Sequence, residues 1–229
     1  MADQGSCVVV GVGPGLGGAV AKRFAAGGHA VAMASRNPER LAPLVAEIEQ
    51  AGGTAKAYRA DATVEDDVVA LFEAAESDLG PAGVAVFNAS GRVRKPITDI
   101  EAQEFIDAWM RGCFGGFLVG REAARRMQPR KAGSILFTGA TASVKAFPLS
   151  AGFAVAKYGL RALAESMARA LQPEGIHVAH FVIDGAIGSD AGNARLDPEA
   201  IAETYYQTHC QHPSAWSTSV ELRPWVESF

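Results

Sequence analysis

Short runs of apolar, β-branched residues alternate along the chain with longer segments whose apolar residues recur three and four positions apart. The first run, Ser6–Val10, is followed by a glycine-rich turn and then by a segment with helical spacing. Short apolar runs bounded by glycine are typical of buried strands, and the longer periodic segments are typical of helices. Strands are therefore predicted at residues 6–10, 29–34, 56–59, 84–87, 134–138, 177–183 and 220–224, and helices at residues 19–26, 38–51, 64–77, 101–127, 152–171 and 198–211.

The order of these elements indicates the architecture, because every predicted strand except the last is followed by a predicted helix. Such alternation predicts an α/β fold, in which a doubly wound parallel sheet of the Rossmann type carries helices on both faces. No internal repeat or low-complexity linker interrupts the pattern. We therefore expect a single domain over residues 1–229.

Composition and charge narrow the function classes. Apolar residues make up 48% of the 229 residues and charged residues 20%, as in a globular chain. With a formal net charge of −4, the chain does not have the excess of basic residues that is expected of a protein that binds nucleic acid or a membrane surface. The three cysteines have no C-x-x-C spacing, so we expect neither a disulfide framework nor a metal site. Because the first residues lack the basic segment of a signal peptide and no apolar run is long enough to span a bilayer, the expected compartment is cytoplasmic.

A glycine-rich turn over residues 11–18 joins the first predicted strand to the first predicted helix. Glycines in this context let the backbone approach a dinucleotide pyrophosphate at the amino end of the helix. Two registers fit: G-x-x-x-G-x-G from Gly11, which we prefer because Gly11 directly follows the strand, and G-x-G-x-x-G from Gly13. Pro14 removes one N–H donor to a phosphate. The cofactor-binding residues predicted here are Gly11, Gly13, Pro14, Gly15 and Leu16.

The residues after the second predicted strand indicate which nicotinamide cofactor is preferred. NAD sites usually carry Asp or Glu at this point to bind the ribose 2′-hydroxyl, whereas this chain has Ser35, Arg36 and Asn37. A guanidinium suits a 2′-phosphate, so we expect NADPH to be preferred over NADH, unless Arg36 and Arg40 only cover a solvated helix start. Asp61 is expected either to contact the adenine or to cap the next helix.

Together these motifs resemble those of the short-chain dehydrogenase/reductase family, and the resemblance runs over residues 7–189. The glycine turn resembles the family's cofactor motif, and Asp-Ala at 61–62 resembles its adenine contact. Phe-Asn-Ala-Ser at 87–90 resembles the Asn-Asn-Ala-Gly segment beside the cofactor, and residues 184–189 resemble the Pro-Gly segment that holds the nicotinamide carboxamide. The resemblance implies further NADP(H) contacts from Asp61, Ala62, Asn88, Ala89, Ser90, Thr138, Lys157, Gly185 and Ile187.

The same resemblance implies a catalytic set of four residues. The family uses a Tyr that exchanges a proton with the substrate oxygen and a Lys four positions later that lowers the phenol pKa and holds the ribose. It also uses a Ser thirteen positions before the Tyr and an Asn on the preceding long helix. Here the lysine is present as Lys157, but Phe153 stands at the tyrosine position, Ala140 at the serine position and Gly112 at the asparagine position.

Neighbouring side chains are candidates to replace the missing groups. Thr138 and Thr141 flank the empty serine position, and a gap in the alignment would bring Ser143 or Ser150 into it. Asp184 replaces a family proline at the end of a strand and is expected either to act as an acid or to bond backbone N–H groups. The candidate catalytic residues are therefore Lys157, Thr141 and Asp184.

Aromatic residues on two predicted helices are further candidates for the proton donor. Tyr158 lies five positions after Phe153, which is about 140° around a helix axis, so its phenol is expected to point away from the site. Tyr205, Tyr206 and His209 lie on the predicted helix at 198–211, and Tyr205 and His209 share one face because they are four positions apart. These residues are expected either to line the pocket or donate a proton, or only to pack.

Basic residues follow the predicted cofactor segment at 87–90. Arg92, Arg94 and Lys95 either attract an anionic substrate or form a solvated loop. His177 and His180 fall within a predicted strand and are expected to be satisfied core or surface residues.

Three functional hypotheses remain from the sequence. The first is an NADP(H)-dependent oxidoreductase that acts on a small carbonyl or alcohol with a rearranged proton donor. The second is a catalytically inactive NADP(H)-binding protein that serves as a sensor or partner subunit, and the third is a turn that binds another phosphate ligand. By the family resemblance, the helices at 101–127 and 152–171 are expected to form a homodimer or homotetramer interface.

Overall fold

The computed structural model describes residues 5–188 and 194–226. Seven strands form one sheet: β1 (Ser6–Val10), β2 (Val31–Ser35), β3 (Ala55–Arg59), β4 (Ala82–Phe87), β5 (Gly133–Thr138), β6 (Ile176–Ile183) and β7 (Ser219–Leu222). Their order across the sheet is β3-β2-β1-β4-β5-β6-β7, and every neighbouring pair is parallel. The order reverses between β1 and β4, which opens a crevice at their carboxyl ends where ligands bind in such sheets.

Helices cover both faces of this sheet. They are α1 (Leu16–Ala26), α2 (Ala42–Gln50), α3 (Glu65–Leu79), α4 (Ala102–Trp109), α5 (Gly115–Met127), α6 (Ala151–Leu171) and α7 (Pro198–His209). The apolar residues of α3, α5 and α6 pack in one core, and those of α1, α2 and α7 pack in the other. The predicted doubly wound α/β fold is therefore confirmed.

The central strand β1 explains why its sequence is continuously apolar. Val8 and Val10 belong to the core on one face, and Cys7 and Val9 belong to the core on the other. Successive side chains of a strand point to opposite faces, so a strand covered on both sides needs apolar residues at every position. All four side chains are almost fully buried.

The helical stretch predicted over residues 101–127 is divided in the structure. A π-helical turn, Met110–Phe114, separates α4 from α5. A Cβ atom at Gly112 would lie 2.9 Å from the Cβ of Ala156, so α6 packs directly against the turn. Such π turns are frequent at functional sites.

The starts of two further helices also differ from the predictions. The helix predicted at residues 38–51 begins as a short 3₁₀ turn, Pro38–Leu41, and continues as α2. The helix predicted from residue 19 begins three residues earlier, at Leu16, directly after the glycine turn. Within residues 5–188 and 194–226, no helix is long and apolar enough to cross a membrane.

Candidate functional site

A cavity of about 920 Å³ opens at the carboxyl ends of the strands β1 to β4. The parallel topology brings the turns that follow these four strands to the same edge of the sheet, so residues far apart in sequence meet there. Arg111 also lines the cavity, although the sequence analysis did not single it out. The predicted cofactor residues that line it are Gly11, Gly13, Pro14, Ser35, Arg36, Asn37, Asp61, Ala62, Asn88, Ala89 and Ser90.

Gly11 is required by the packing of the backbone. Its φ is +89°, and a Cβ atom there would lie only 2.5 Å from the backbone nitrogen of Ala89. The Asn88 side-chain amide donates a hydrogen bond to the Gly11 carbonyl at 3.0 Å, and the Asn88 backbone N–H donates to the carbonyl of Val10 at 2.8 Å. A Cβ atom at Gly17 would lie 2.9 Å from the Gly11 oxygen. These contacts join the turn to the end of β4 and agree with the register that starts at Gly11.

Gly13 and Gly15 have a different environment, because a Cβ atom at either position would meet no atom within 4 Å. Gly15 is the N-cap of α1 and no side chain caps the helix. The first N–H groups of Leu16 and its neighbours are therefore available to an anion, and the helix dipole favours a negative charge there. The turn has the open space and the donors that a pyrophosphate requires.

The end of β2 adds positive charge to this cavity. Arg36 and Arg40 are exposed and line it. The Ser35 hydroxyl accepts a hydrogen bond from the Asn37 N–H at 3.2 Å, which shapes the turn after the strand. No residue from 35 to 37 carries a carboxylate, so a phosphate at this turn meets a guanidinium without an acid in the turn itself, while the carboxylates of Glu47 and Asp61 lie elsewhere along the same cavity.

Asp61 is oriented by its own turn. Its carboxylate accepts hydrogen bonds from the backbone N–H and the hydroxyl of Thr63, at 2.9 Å and 2.7 Å. Burial acts to raise the pKa of Asp61, but the Thr63 hydrogen bonds and the charges of Arg36 and Arg111 outweigh it and hold that pKa below its usual value. The helix α3 starts at Glu65 with Val64 as N-cap and no side-chain cap, so the alternative that Asp61 caps α3 is wrong.

Lys157 lies at the next part of the sheet edge, beside the end of β5. Its side chain is 2% exposed, and its ammonium donates a 2.7 Å hydrogen bond to the Thr138 carbonyl. Burial lowers the pKa of Lys157 to about 8, and the electrostatic effect of Cys113 opposes that shift. The Thr138 hydroxyl accepts a 2.9 Å hydrogen bond from the phenol of Tyr205. Both polar groups of Thr138 are thus engaged within the protein.

The positions at which the family resemblance places the tyrosine and serine come together as one apolar cluster. Phe153 packs with Ala142 and Ala154, and Ala140 packs against the same group. Neither Phe153 nor Ala140 can donate a proton. Thr141, the candidate hydroxyl, is half-buried at the start of the short turn after Ala140. The tight contact of Gly112 with Ala156 leaves no room for a longer side chain at the asparagine position.

Arg92 makes a contact that the sequence did not predict. Its guanidinium carbon lies 4.7 Å from the centroid of the Phe153 ring, and the Lys157 ammonium lies 5.9 Å from the same centroid. Lys95 is instead paired with Glu104 at 2.6 Å, and Arg94 is exposed. Of the three basic residues in this loop, Arg92 is the one whose guanidinium lies over the Phe153 ring.

The other hydroxyl and acid candidates are engaged elsewhere. Ser143 is fully buried, and its hydroxyl contacts the Ala140 N–H at 3.1 Å and His180 Nε2 at 3.3 Å. Burial and the charges of Lys157 and Arg161 lower the pKa of His180 to about 3, so this buried histidine is neutral at pH 7. Ser150 bonds the backbone of Phe147, and Asp184 forms an ion pair with Arg223.

The aromatic residues of α7 pack rather than face the cavity. Tyr205 is fully buried and stacks on Phe181 with ring centroids 3.7 Å apart. Four positions later, His209 Nδ1 lies 2.8 Å from the Ser134 hydroxyl of β5, and Tyr206 lies under the guanidinium of Arg23. The shared face predicted for Tyr205 and His209 therefore packs along β5. Tyr158 is 42% exposed, as its helix position predicted.

The segment after β6 carries the remaining predicted contacts. Gly185 has φ +155°, and a Cβ atom there would lie 2.9 Å from the Cδ of Pro224. Ile187 forms an isolated bridge with Leu196 and is 38% exposed. Ser189, the last residue of the predicted motif, lies outside the described residues.

This chain is similar to known proteins over most of its length. A family model described as short chain dehydrogenase matches residues 6–198. The 3beta-hydroxysteroid dehydrogenase 1 of Eggerthella lenta is 34% identical over 203 residues, which are 86% of this chain and 76% of that protein. The 7alpha-hydroxysteroid dehydrogenase of Escherichia coli K12 is 32% identical over 197 residues, with the same two shares. For a 3beta-hydroxysteroid dehydrogenase of Mediterraneibacter gnavus, 32% identical, the match covers 76% of this chain and 63% of that protein.

A solved structure extends the agreement. The short-chain dehydrogenase from Rhodopseudomonas palustris is 44% identical to this chain and superposes with a TM-score of 0.89, covering 97% of this chain and 99% of that one. The parallel sheet, the glycine turn at its switch point and these matches all lead to the same conclusion. The chain belongs to the short-chain dehydrogenase/reductase family of oxidoreductases.

Proposed function

We propose that this protein is an NADP(H)-dependent oxidoreductase that interconverts a carbonyl and an alcohol at a site with an atypical catalytic set. The observation that carries the proposal is the cavity at the switch point, where the open glycine turn and the uncapped start of α1 face the same space as Arg36. The names of the hydroxysteroid dehydrogenase relatives support carbonyl–alcohol chemistry as the reaction class.

The residues present fit a dinucleotide phosphate. Gly13, Gly15 and Leu16 offer backbone N–H groups to the pyrophosphate, and the open space at Gly13 and Gly15 admits it. Arg36 and Arg40 would bind the 2′-phosphate, while Asp61, Ala62 and the segment 88–90 would surround the adenosine and ribose. When bound, NADP(H) supplies or accepts the hydride.

Lys157 is the candidate catalytic residue that remains of the family set. With its ammonium fixed on the Thr138 carbonyl, it would hold the nicotinamide ribose and keep positive charge near the reacting oxygen. Its pKa of about 8 lets it exchange a proton near neutral pH. Thr141 supplies a candidate hydroxyl beside Ala140, whereas the Asp184 carboxylate is paired with Arg223.

A second candidate function follows from the apolar cluster. With Phe153 and Ala140 at the positions of the proton donor and its partner, the protein would bind NADP(H) without turnover and act as a sensor or partner subunit. The two functions differ in one observable, which is NADPH oxidation in the presence of a carbonyl compound.

Self-association and location are part of the same proposal. Large apolar side chains on α4 to α6 are exposed, at 37% for Trp109 and for Phe117, 47% for Val155 and 42% for Tyr158. Burying them against a second copy favours a homodimer or homotetramer. We place the protein in the cytoplasm, with a small-molecule substrate as its other partner.

A fluorescence titration tests the cofactor assignment. Purified protein is titrated with NADPH and with NADH, and the nicotinamide emission is followed for the wild type and for Arg36→Ala. We expect NADPH to bind more tightly than NADH, and the variant to lose about tenfold or more in NADPH affinity with little change for NADH. Lys56→Ala, which removes a positive charge from the strand β3 away from the cavity, is the matched control. Absence of binding by either nucleotide would overturn the proposal.

A further inference from the structure

We propose that the substrate of this site carries a carboxylate and that Arg92 binds it. The proposal rests on the proposed oxidoreductase function, because it places the reacting end of the substrate beside Phe153. It names a substrate class and a specificity-determining residue.

The stacking of Arg92 on Phe153 leaves its hydrogen-bonding edge free. The guanidinium carbon lies over the Phe153 ring, 4.7 Å from its centroid, and a cation–π contact of this kind occupies none of the N–H donors. Within residues 5–188 and 194–226, Arg92 forms no ion pair or hydrogen bond, and it is exposed. Two parallel N–H groups of a guanidinium match the two oxygens of a carboxylate.

The loop that carries Arg92 is fixed by close packing. A Cβ atom at Gly91 would lie 2.9 Å from the Cα of Ala108 and 3.2 Å from the Cβ of Arg111. Gly91 therefore holds the loop against α4 and the π turn, directly after the cofactor segment that ends at Ser90. Arg92 is thus delivered to the border between the nucleotide cavity and the start of α6.

The local charge is positive, and no carboxylate among the described residues is paired with Arg92 or with Lys157. The Phe153 ring has Arg92 at 4.7 Å and the buried Lys157 ammonium at 5.9 Å. The positions that would place hydroxyls here, 140 and 153, are apolar. Two cations beside an apolar surface in a partly desolvated site favour a ligand with an apolar body and one negative charge.

The basic residues of the same loop provide a control for charge alone. Lys95 is neutralised by Glu104 at 2.6 Å. Arg94 is exposed and stacks on no ring among the described residues. Arg94→Ala removes the same charge as Arg92→Ala from two positions away, so any effect of general attraction will appear in both variants.

Calorimetric titration with a matched ligand pair tests the proposal. Benzoate and benzamide have the same shape and differ in charge, and each is titrated into protein with and without NADPH. We expect benzoate to bind about tenfold or more tightly than benzamide, and Arg92→Ala to abolish that preference while benzamide changes by less than about twofold. Arg94→Ala should keep the preference. Equal affinities in the wild type, no binding of either ligand at millimolar concentration, or a preference that survives Arg92→Ala would overturn the proposal.

Different results would contradict the cofactor assignment and the carboxylate assignment. Arg92→Ala should retain NADPH binding, because Arg92 does not line the nucleotide cavity. If no nucleotide binds but the benzoate preference depends on Arg92, the oxidoreductase function fails and the anion site stands. Where turnover is measurable, para-formylbenzoate should exceed para-formylbenzamide in kcat/KM, and Arg92→Ala should raise KM for the first compound alone.

Discussion

The crevice has a nucleotide half, formed by the turns after β1 to β4, and a substrate half around Phe153 and Lys157. The two halves differ in whether the packing of the protein accounts for their residues. In the nucleotide half, Gly11 and Gly17 are required by backbone packing, since a Cβ atom at either meets backbone within 3 Å. Gly13 and Gly15 face open space and packing does not require them. In the substrate half, Ala140 and Phe153 pack together in one apolar cluster without any hydroxyl group. Residues that packing does not explain are the stronger evidence for a ligand.

Lys157 is also a residue that packing does not explain, although it lies in the substrate half. Its ammonium is buried, and a buried charge destabilises a fold unless it is paired. Within the described part of the chain, the hydrogen bond to the Thr138 carbonyl is the one polar contact of the ammonium, and it only partly offsets that cost. A lysine at this position is therefore better explained by a ligand than by stability.

The largest expected effect comes from restoring the two missing hydroxyls. Ala140→Ser combined with Phe153→Tyr should raise NADPH-dependent carbonyl reduction by about a hundredfold or more, since a positioned general acid contributes about 10²–10⁴ in rate. The assay is NADPH absorbance with para-formylbenzoate. Phe153→Leu is the control, because it changes the same position without adding a hydroxyl and should give no gain in rate. If the double variant binds NADPH without a gain in rate, the two halves are no longer aligned for the family's chemistry.

Paired glycine substitutions test the contrast within the turn. Gly11→Ala forces a side chain into a left-handed backbone conformation and against Ala89, so it should lower the free energy of unfolding by about 3 kcal/mol. Gly13→Ala meets open space and should leave stability unchanged while it weakens NADPH binding about tenfold. Urea unfolding and nucleotide titration measure the two effects. Equal effects of both substitutions on stability would remove the distinction.

The buried ammonium should also be visible in the pH dependence of stability. The pKa of Lys157 is about 8 in the folded protein against 10.5 ordinarily, so the unfolded chain binds more protons between these values. The free energy of unfolding should rise with pH across this window, by up to about 3 kcal/mol relative to Lys157→Met. Below pH 8 the difference should be constant. Urea unfolding of both proteins between about pH 7 and pH 10 measures it, and a flat difference would contradict the buried charge.

The smallest expected effect concerns the hydrogen bond that Tyr205 donates to Thr138, the residue whose carbonyl accepts from Lys157. Tyr205→Phe removes the donor to the Thr138 hydroxyl and should destabilise the fold by about 1 kcal/mol. Tyr206→Phe is the matched control, because its half-buried phenol makes a longer contact, 3.4 Å, with the Gly27 carbonyl, and it should cost less. Thermal unfolding compares the two, and the reverse order would refute the role of Tyr205.

The sequence predicted what depends on local pattern. Strand–helix alternation and the glycine turn are local signals, and they led to the doubly wound sheet and to the cavity residues at its edge. The contact of Arg92 with Phe153 joins residues 61 positions apart, and that of Tyr205 with Thr138 joins residues 67 positions apart. The spacing of one element cannot predict such contacts, because they depend on how separate elements pack.

The interruption of the 101–127 stretch was missed for a related reason. Apolar periodicity continues through Met110–Phe114, so the sequence gives no break there. Gly112 in this turn lies close to Ala156 on another helix, a contact that apolar spacing does not predict, and the glycine in a periodic segment was its local signal.

A crystal structure of the protein grown with saturating NADPH tests the central claim most directly. We predict a dinucleotide in the cavity, with its pyrophosphate at residues 13–16, its 2′-phosphate beside Arg36 and its nicotinamide ribose near Lys157. A cavity without nucleotide, or a 2′-phosphate directed away from Arg36, would contradict the account.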